Sequence, residues 1–489
     1  MDSNAKAWKM IRVLLIRIYQ PCPLHVLAPP IGLMSIAAFL RDYGNEKYEV
    51  KIVDMNLSRM KPDEIGPIIR DFDPAITGLS ALSFERPAMH AVARLVKGLK
   101  PECKVTVGGP YGTSSSEEVL ENPCVDWVII GEGEITFSEL LDTYFGNGNV
   151  NDVPGIAFRQ NNQAVYSPHR DFISDLDRLP FPAWDLIDIP AYSLNVPNMN
   201  AVLAAKPYMH IFTSRGCPFH CIYCHDLMGK SIREMSPQKV LEQIRILYSR
   251  NKVKEIHIVD DCFNYHPERA KEICRKINEE GIKIKIAFPN GIRADLCDNE
   301  LLTLLKISGT YMISFAVETA SERLQILIKK NLNLEKVRET INQCNDLGFI
   351  TKGYFMIGFP SETIEEIQKT VNFAVKSSLL FASFFFVVPF RNTPLFELSQ
   401  REYPGLQFED YDKFYHAGTS FYKCATGIDL NKIQRNAYLK FYFSGRFFRI
   451  IRKSFLKYDS FQQIFISFIK IYLDKLLKIL NLLPFMKSK

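Results

Sequence analysis

No stretch of this 489-residue chain is both long and apolar enough to span a bilayer cleanly. The nearest approach, residues 464–485, is interrupted by Lys470, Asp474, Lys475 and Lys478. No export signal is legible either: Met1 to Met10 is polar, and the apolar run Ile11 to Ile18 is short and broken by Arg12 and Arg17. A cytoplasmic location is therefore expected. Charge of one sign is not in large excess. The 60 basic residues against 54 acidic ones leave +6, too little over this length to argue for nucleic acid as a partner. A disulfide framework is missing as well. The 11 cysteines are unevenly spread, and Cys103, Cys274 and Cys344 sit singly in periodic segments, as in a reducing compartment. No G-x-G-x-x-G follows the first strand, which argues against a nicotinamide site.

What is present is enough apolar residue, 47 %, for two or three packed domains at this length. Over residues 1–145, β-branched runs at 11–18, 48–53, 75–80, 104–107 and 127–130 alternate with helical patterns. Alternation with short loops gives an α/β fold, a Rossmann-like doubly wound parallel sheet. Such sheets bind ligands beyond the carboxyl ends of their strands. Asp54, Ser80, Gly108, Gly109, Gly131 and Glu132 fall there and are the candidate ligand contacts. Glycines let backbone approach a large flat or phosphate-bearing ligand, although turn chemistry accounts for each glycine run about as well. Residues 146–200 read as a linker: a hairpin between short apolar runs, then an extended, proline-bearing segment from Leu176 to Asp188.

A second strand–helix series occupies 201–400, with strands at 208–213, 255–259, 283–287, 311–317, 352–357 and 384–388. Six repeats are too few for a closed eightfold barrel and fit a partial (β/α)6 TIM-type barrel, whose chemistry sits at the carboxyl ends of the strands. The loop after the first of these strands carries Cys217, Cys221 and Cys224, spaced C-x3-C-x2-C with no fourth cysteine close by. Three thiolates can hold three irons of a cubane cluster and leave the fourth iron open as a Lewis-acidic site. A Cys3His zinc site using His220 or His225 is the alternative. Later strand ends supply Asp260 and Asp261, Glu318 with Thr319, and Ile357 with Gly358. Carboxylates there suit ribose hydroxyls or an ammonium group, while helix capping is the plainer role for Asp261 and Thr319.

Taken together, these stretches resemble the cobalamin-binding branch of the radical S-adenosylmethionine enzymes over about residues 10–400. The resemblance rests on the cysteine motif within Thr213-Ser-Arg-Gly-Cys-Pro-Phe, on Ile258-Val-Asp-Asp-Cys-Phe, on Phe315-Ala-Val-Glu-Thr-Ala, and on Gly353-Tyr-Phe-Met-Ile-Gly-Phe-Pro-Ser-Glu-Thr. In the first half it rests on Pro29-Pro-Ile-Gly-Leu-Met-Ser, Val107-Gly-Gly-Pro-Tyr and Ile130-Gly-Glu-Gly-Glu. It implies that Cys217, Cys221 and Cys224 ligate a [4Fe–4S] cluster whose open iron chelates S-adenosylmethionine, which one electron then cleaves to a 5′-deoxyadenosyl radical. It implies that Tyr223 lies beside the adenine, that Asp260 and Asp261 approach the methionine ammonium, that Glu318 binds ribose, and that Ile357, Gly358 and Val388 contact adenine. Cobalamin is implied for the first domain. No D-x-H-x-x-G stretch occurs in residues 1–145, so the cobalamin would be held without a histidine ligand.

The resemblance implies a methyltransferase acting on an unactivated carbon of a biosynthetic intermediate, with an oxidative cyclase or rearrangement enzyme as the alternative. A non-catalytic iron–sulfur protein is the reading from another class, and an open iron speaks against it. A small-molecule substrate, a hydrophobic one if the C-terminal region is a lid over it, and an external electron donor such as flavodoxin or ferredoxin are the partners expected. The last region, 401–489, is expected to be mainly helical; it is rich in aromatics and basic residues. It reads either as a helical cap on the barrel or as an interfacial helix or lid making peripheral membrane contact, so that the protein is membrane-associated.

Overall fold

The computed structural model describes residues 10–21, 27–44, 47–194, 203–405 and 426–444. Those up to Leu194, with Asp226–Gly229, form one compact unit; the remainder form a second.

The first unit is built on seven strands: β1 (Ile11–Arg17), β2 (Tyr48–Asp54), β3 (Ile76–Ser80), β4 (Lys104–Gly108), β5 (Trp127–Ile129), β6 (Ile156–Gln160) and β7 (Gln163–Tyr166). They lie in the order β2-β1-β3-β4-β5-β6-β7, the first five parallel. β1 shows why the sheet is covered on both faces. The pleat sends Leu14 and Ile16 one way, into a core with Met89, Val92 and Val96 of the helix Arg86–Leu99. It sends Val13 and Leu15 the other way, against Leu33, Ala37 and Leu40 of the helix Ile31–Tyr43 and Phe137, Leu140 and Leu141 of the helix Gly133–Phe145. A continuous apolar run is what such a strand needs.

The hairpin expected after residue 145 is β6–β7, but it is not a free linker element. β6 pairs antiparallel with β5, so the hairpin extends the sheet. The segment after it is docked as well: Ala183 is buried in the sheet's core and its amide donates to the Met34 carbonyl at 3.1 Å. The glycine run after β4 is also more ordered than a loop, since Gly109–Ser114 is helical.

The second unit opens with β8 (Tyr208–Ile211). A short antiparallel ladder follows, β9 (Ser214–Arg215) with β10 (Arg233–Glu234). The remaining strands are β11 (Glu255–Ile258), β12 (Lys285–Phe288), β13 (Thr310–Glu318), β14 (Ile350–Ile357) and β15 (Phe381–Phe386). Six of them form one parallel sheet in the order β15-β14-β13-β12-β11-β8, with the helices between, as a partial barrel requires.

An open barrel leaves strand edges to satisfy. At β15 the helix Leu430–Phe443 does this with side chains. Gln434 Nε2 donates to the Phe384 carbonyl at 2.7 Å, Tyr438 Oη accepts the Phe384 amide at 3.1 Å, and Tyr442 Oη donates to the Ala382 carbonyl at 3.2 Å. Four helical residues rise about 6 Å, close to the roughly 6.6 Å between alternate strand residues. An i, i+4, i+8 row therefore tracks a strand edge. For these residues the cap reading of the C-terminal region holds. The aromatics Phe408 to Tyr422 and the segment 445–489 lie outside the described residues. Among the described residues no helix is long and apolar enough to cross a membrane.

Candidate active site

The cysteine loop leaves β8, and the β9–β10 ladder closes its neck, Ser214 facing Glu234 and Arg215 facing Arg233. Asp260, at the end of β11, holds that neck. It is buried and accepts the Thr213 amide at 2.6 Å, the Thr213 hydroxyl at 2.5 Å and the Ser214 hydroxyl at 2.7 Å. Burial raises its carboxyl, and the bonds from Thr213 and Ser214 and the charge of Arg269 oppose the rise. Arg269 donates to the carbonyls of Thr213 at 2.6 Å and Met235 at 2.9 Å. Gly216, at φ +84, turns the chain into the first cysteine through a conformation that side chains disfavour.

The middle of the loop is pinned to later elements. The Ile222 amide donates to the Ile328 carbonyl at 3.1 Å, and the Leu395 amide donates to the Ile222 carbonyl at 3.0 Å. The Ile222 side chain is buried with Leu324, Ile328, Phe359, Val387 and Leu395. The Arg293 guanidinium lies 3.7 Å from the centre of the Phe219 ring, a cation–π contact, and Lys230 Nζ donates to the Phe219 carbonyl at 3.2 Å.

Cys221 is buried, Cys217 partly buried and Cys224 exposed, and all three are free thiols. A hydrogen bond from Cys224 pulls the Cys221 thiol down to about 6 against the effect of burial, with help from the charges of Lys330 and Arg293. The same hydrogen bond, together with burial, pushes the Cys224 thiol up. A zinc ion needs four donors at about 2.0–2.3 Å from one point. Among the described residues no three His, Cys, Asp or Glu side chains converge in that way. His225 packs its ring 5.0 Å from Phe390, and His220 is exposed. A cubane spreads its thiolates over separate irons, and three thiols on one pinned loop fit it.

Next to the loop, three groups from distant parts of the chain converge. Tyr223 Oη donates to the Glu318 carboxylate at 3.2 Å, and Lys330 Nζ lies 3.8 Å from the same group. Glu318 sits where the β13–β14 register shifts, at φ +65. A side chain held there costs about 1 kcal/mol or more, and such strain gathers at functional sites. Burial raises the Glu318 carboxyl, and Lys330 and the Tyr223 hydroxyl oppose the rise.

Of the other strand-end candidates, Asp261 is exposed, Ile357 is fully buried, and Val388 lies two residues beyond β15 rather than on it. Gly358, at φ +94, sends its amide to Glu362 at 2.5 Å, and the Phe359 amide follows at 3.0 Å. Burial pushes the Glu362 carboxyl up to about 8. Glu362 and Lys330 are missing from the residues predicted from sequence. A signal for Glu362 was present: a carboxylate four residues past a strand-end glycine can fold back onto its amides.

In the first unit the predicted carboxylates are engaged within the protein. Asp54 caps the turn Met55–Ser58 through the Asn56 and Leu57 amides and accepts Tyr192 Oη at 2.6 Å. Glu132 is buried and accepts the Ile173 amide at 2.7 Å. The helix turn after β4 depends on Gly109, at φ +77, where a Cβ would lie 2.8 Å from Ser80 Oγ. Gly108 and Gly131 differ. An added Cβ would meet nothing nearer than 3.7 Å at Gly108 and 3.8 Å at Gly131. Packing therefore does not dictate Gly108, whereas Gly131, at φ +76, is fixed by its backbone conformation. His90 has both ring nitrogens engaged, with Tyr111 Oη at 3.2 Å and Asn122 Nδ2 at 3.1 Å; His25 lies outside the described residues.

Comparison with known proteins agrees with this geometry. Residues 211–374 match the radical SAM superfamily, and residues 24–141 match the B12 binding domain. A Pyrococcus horikoshii protein described as an uncharacterized methyltransferase is 30 % identical over 85 % of this chain and 88 % of its own length. The cytidylyl-2-hydroxyethylphosphonate methyltransferase of Streptomyces wedmorensis is 30 % identical over 74 % of this chain and 76 % of its own. Among solved structures, the radical S-adenosylmethionine methyltransferase TsrM of Kitasatospora setae, with cobalamin and a [4Fe–4S] cluster bound, superposes with a TM-score of 0.65. That match covers 80 % of this chain and 78 % of TsrM at 17 % identity, and shows the shared fold. The chain belongs to the cobalamin-dependent radical S-adenosylmethionine enzymes, alongside methyltransferases of that family.

Proposed function

We propose that the protein methylates an unactivated carbon of a small biosynthetic intermediate. The observation that carries the reading is the convergence of Tyr223, Glu318 and Lys330 on the three-thiol loop. Cys217, Cys221 and Cys224 hold the cluster, which when bound supplies the electron and the open iron for reductive cleavage of S-adenosylmethionine. Around it the chain's own groups divide the cosubstrate between them. Glu318 takes ribose hydroxyls, Lys330 meets the methionine carboxylate, and Asp261 meets the ammonium. Tyr223, Gly358 and Val388 border the adenine. Asp260 is a positioning residue: its oxygens are taken by Thr213 and Ser214, so it fixes the neck of the loop instead of touching the cosubstrate. In the first unit the surface around Ser80, Gly108, Gly109 and Gly131 cradles cobalamin, the methyl carrier, by backbone approach. The electron comes from a small external donor such as flavodoxin or ferredoxin.

The two methyltransferase relatives favour methylation over cyclisation. The test is to reconstitute the full chain anaerobically, add cobalamin, reductant and S-adenosylmethionine, and separate the products. Formation of 5′-deoxyadenosine and S-adenosylhomocysteine together in the presence of substrate is the expected result. 5′-Deoxyadenosine without S-adenosylhomocysteine would point to cyclisation or rearrangement.

A further inference from the structure

We propose that the concave face of β13–β15 binds the substrate, and that this substrate is a small anion carrying a flat unsaturated group, with Lys352 as its counter-charge. The inference rests on the reading of the second unit as the catalytic one and adds the chemical class of its substrate.

The direction of the side chains comes first. Phe355 packs on Phe384 at 5.3 Å and on Phe373 of the helix Ile364–Lys376 at 6.4 Å, so it faces the helices. The pleat turns its neighbour Tyr354 to the other side. Tyr354 Oη reaches past β13 to donate to the Pro289 carbonyl, just beyond β12, at 2.7 Å, a path open only along the concave face. Lys352, two residues earlier on β14, shares that face, and its Nζ lies 4.8 Å from the centre of the Tyr354 ring. Phe385 on β15 shares it too, 5.9 Å from Tyr354. Ser314 is the register partner of Lys352 on β13.

Each of these groups is left wanting. Lys352 is half-buried, and among the described residues it has no ion pair and no hydrogen bond. Ser314 is fully buried, and its hydroxyl has no partner. Phe385 is 42 % exposed although it lies within a sheet. An orphaned buried hydroxyl is costly, and among the described residues the Lys352 ammonium has only the face of the Tyr354 ring as a partner. One ligand answers them: an anionic group on Lys352, with Ser314 beneath it in the same register, and a planar group against Tyr354 and Phe385. Aromatic walls with a few convergent polar groups are the usual make-up of a small-molecule site. The anion can be a phosphate ester, a phosphonate or a carboxylate, since an ammonium and a hydroxyl serve all of them.

The probes are phenyl phosphate, benzoate and phenol, titrated calorimetrically into the reconstituted full chain, with S-adenosylmethionine titrated in parallel. Phenyl phosphate or benzoate is expected to bind, and the better of the two identifies the anion; phenol should bind at least about tenfold more weakly. Lys352→Met should weaken the anion by about tenfold or more, Lys352→Arg should keep most of its affinity, and both should leave S-adenosylmethionine binding unchanged. Phe385→Ser, at an exposed position that does not threaten folding, should weaken the aromatic anion and leave inorganic phosphate unaffected. Equal binding of phenol and the anions, or full anion affinity in Lys352→Met, would overturn the proposal. So would a Lys352→Met protein that loses S-adenosylmethionine affinity while keeping the anion, because the lysine would then serve the cosubstrate. Formation of 5′-deoxyadenosine is read separately, so the cluster assignment and this site can fail independently.

Discussion

The two units differ in what their strand ends carry. In the barrel unit, charged and aromatic side chains from separate strands converge: Tyr223, Glu318 and Lys330 surround the cysteine loop. In the sheet unit, the carboxylates at the strand ends turn back into the protein, Asp54 onto a helix turn and Tyr192, and Glu132 onto Ile173. Beside them stand the glycines Gly108, Gly109 and Gly131, each partly exposed. The difference follows from the ligands. A zwitterionic cosubstrate with a charged sulfonium needs counter-charges held in place. A large macrocycle needs area and close approach, which side chains obstruct.

The largest effect expected is on the barrel side. Replacing Cys217, Cys221 or Cys224 with alanine should abolish iron loading and 5′-deoxyadenosine formation, while cobalt content after cobalamin supplementation stays near wild type; parallel iron and cobalt analysis checks both. Loss of both metals would mean that the units do not bind independently. Asp260→Ala should come next. It leaves the Thr213 amide and two hydroxyls unpaired, a loss of about 3–5 kcal/mol, readable by denaturant titration together with impaired cluster loading. Asp260→Asn, which keeps part of the bonding, should fall between Asp260→Ala and wild type.

A cleaner contrast comes from Gly108→Val. The backbone at Gly108 is extended and an added Cβ meets only Ile129 at 3.7 Å, so folding should be little changed. Cobalamin retention should nevertheless fall by about tenfold, because the branched side chain fills the cradle. On the other unit Glu318→Gln should weaken S-adenosylmethionine by a similar factor without reducing iron content. By contrast, Asp54→Ala should cost about 1 kcal/mol of stability through its cap and leave cobalamin retention unchanged.

A pH effect is expected at Glu362 as well. Its carboxyl stands near 8 in the folded chain, against 4.5 for an ordinary glutamate, because burial disfavours the charge. The folded state therefore binds more protons than the unfolded state between those values. Stability should decline as pH rises from about 4.5 to 8 and level off above that range. Glu362→Gln should flatten this decline, as melting temperatures at pH 5.5 and 8 would show.

The contrast between the units also explains what the sequence could reveal. The cysteine spacing and the six strands were legible because each is a local pattern, and Glu318 stands at the end of its strand as that pattern has it. Asp54 and Glu132 were found by the same rule, but their bonds to Tyr192 and Ile173 were not legible, because those partners lie far along the sequence. Pairing of β6 with β5 was hidden for a related reason: a hairpin signal says nothing about which edge it joins. The tyrosine row Tyr438 and Tyr442 on β15 looked like aromatic excess in a basic tail. Its meaning as an edge cap exists only once the open barrel edge is in place.

The central claim is that the three-thiol loop holds a cluster with one iron open to S-adenosylmethionine. Electron paramagnetic resonance of the reduced, reconstituted full chain tests it most directly. The spectrum should change when S-adenosylmethionine is added, as the cosubstrate takes the open iron. A [4Fe–4S] signal that is the same with and without saturating S-adenosylmethionine would contradict the account.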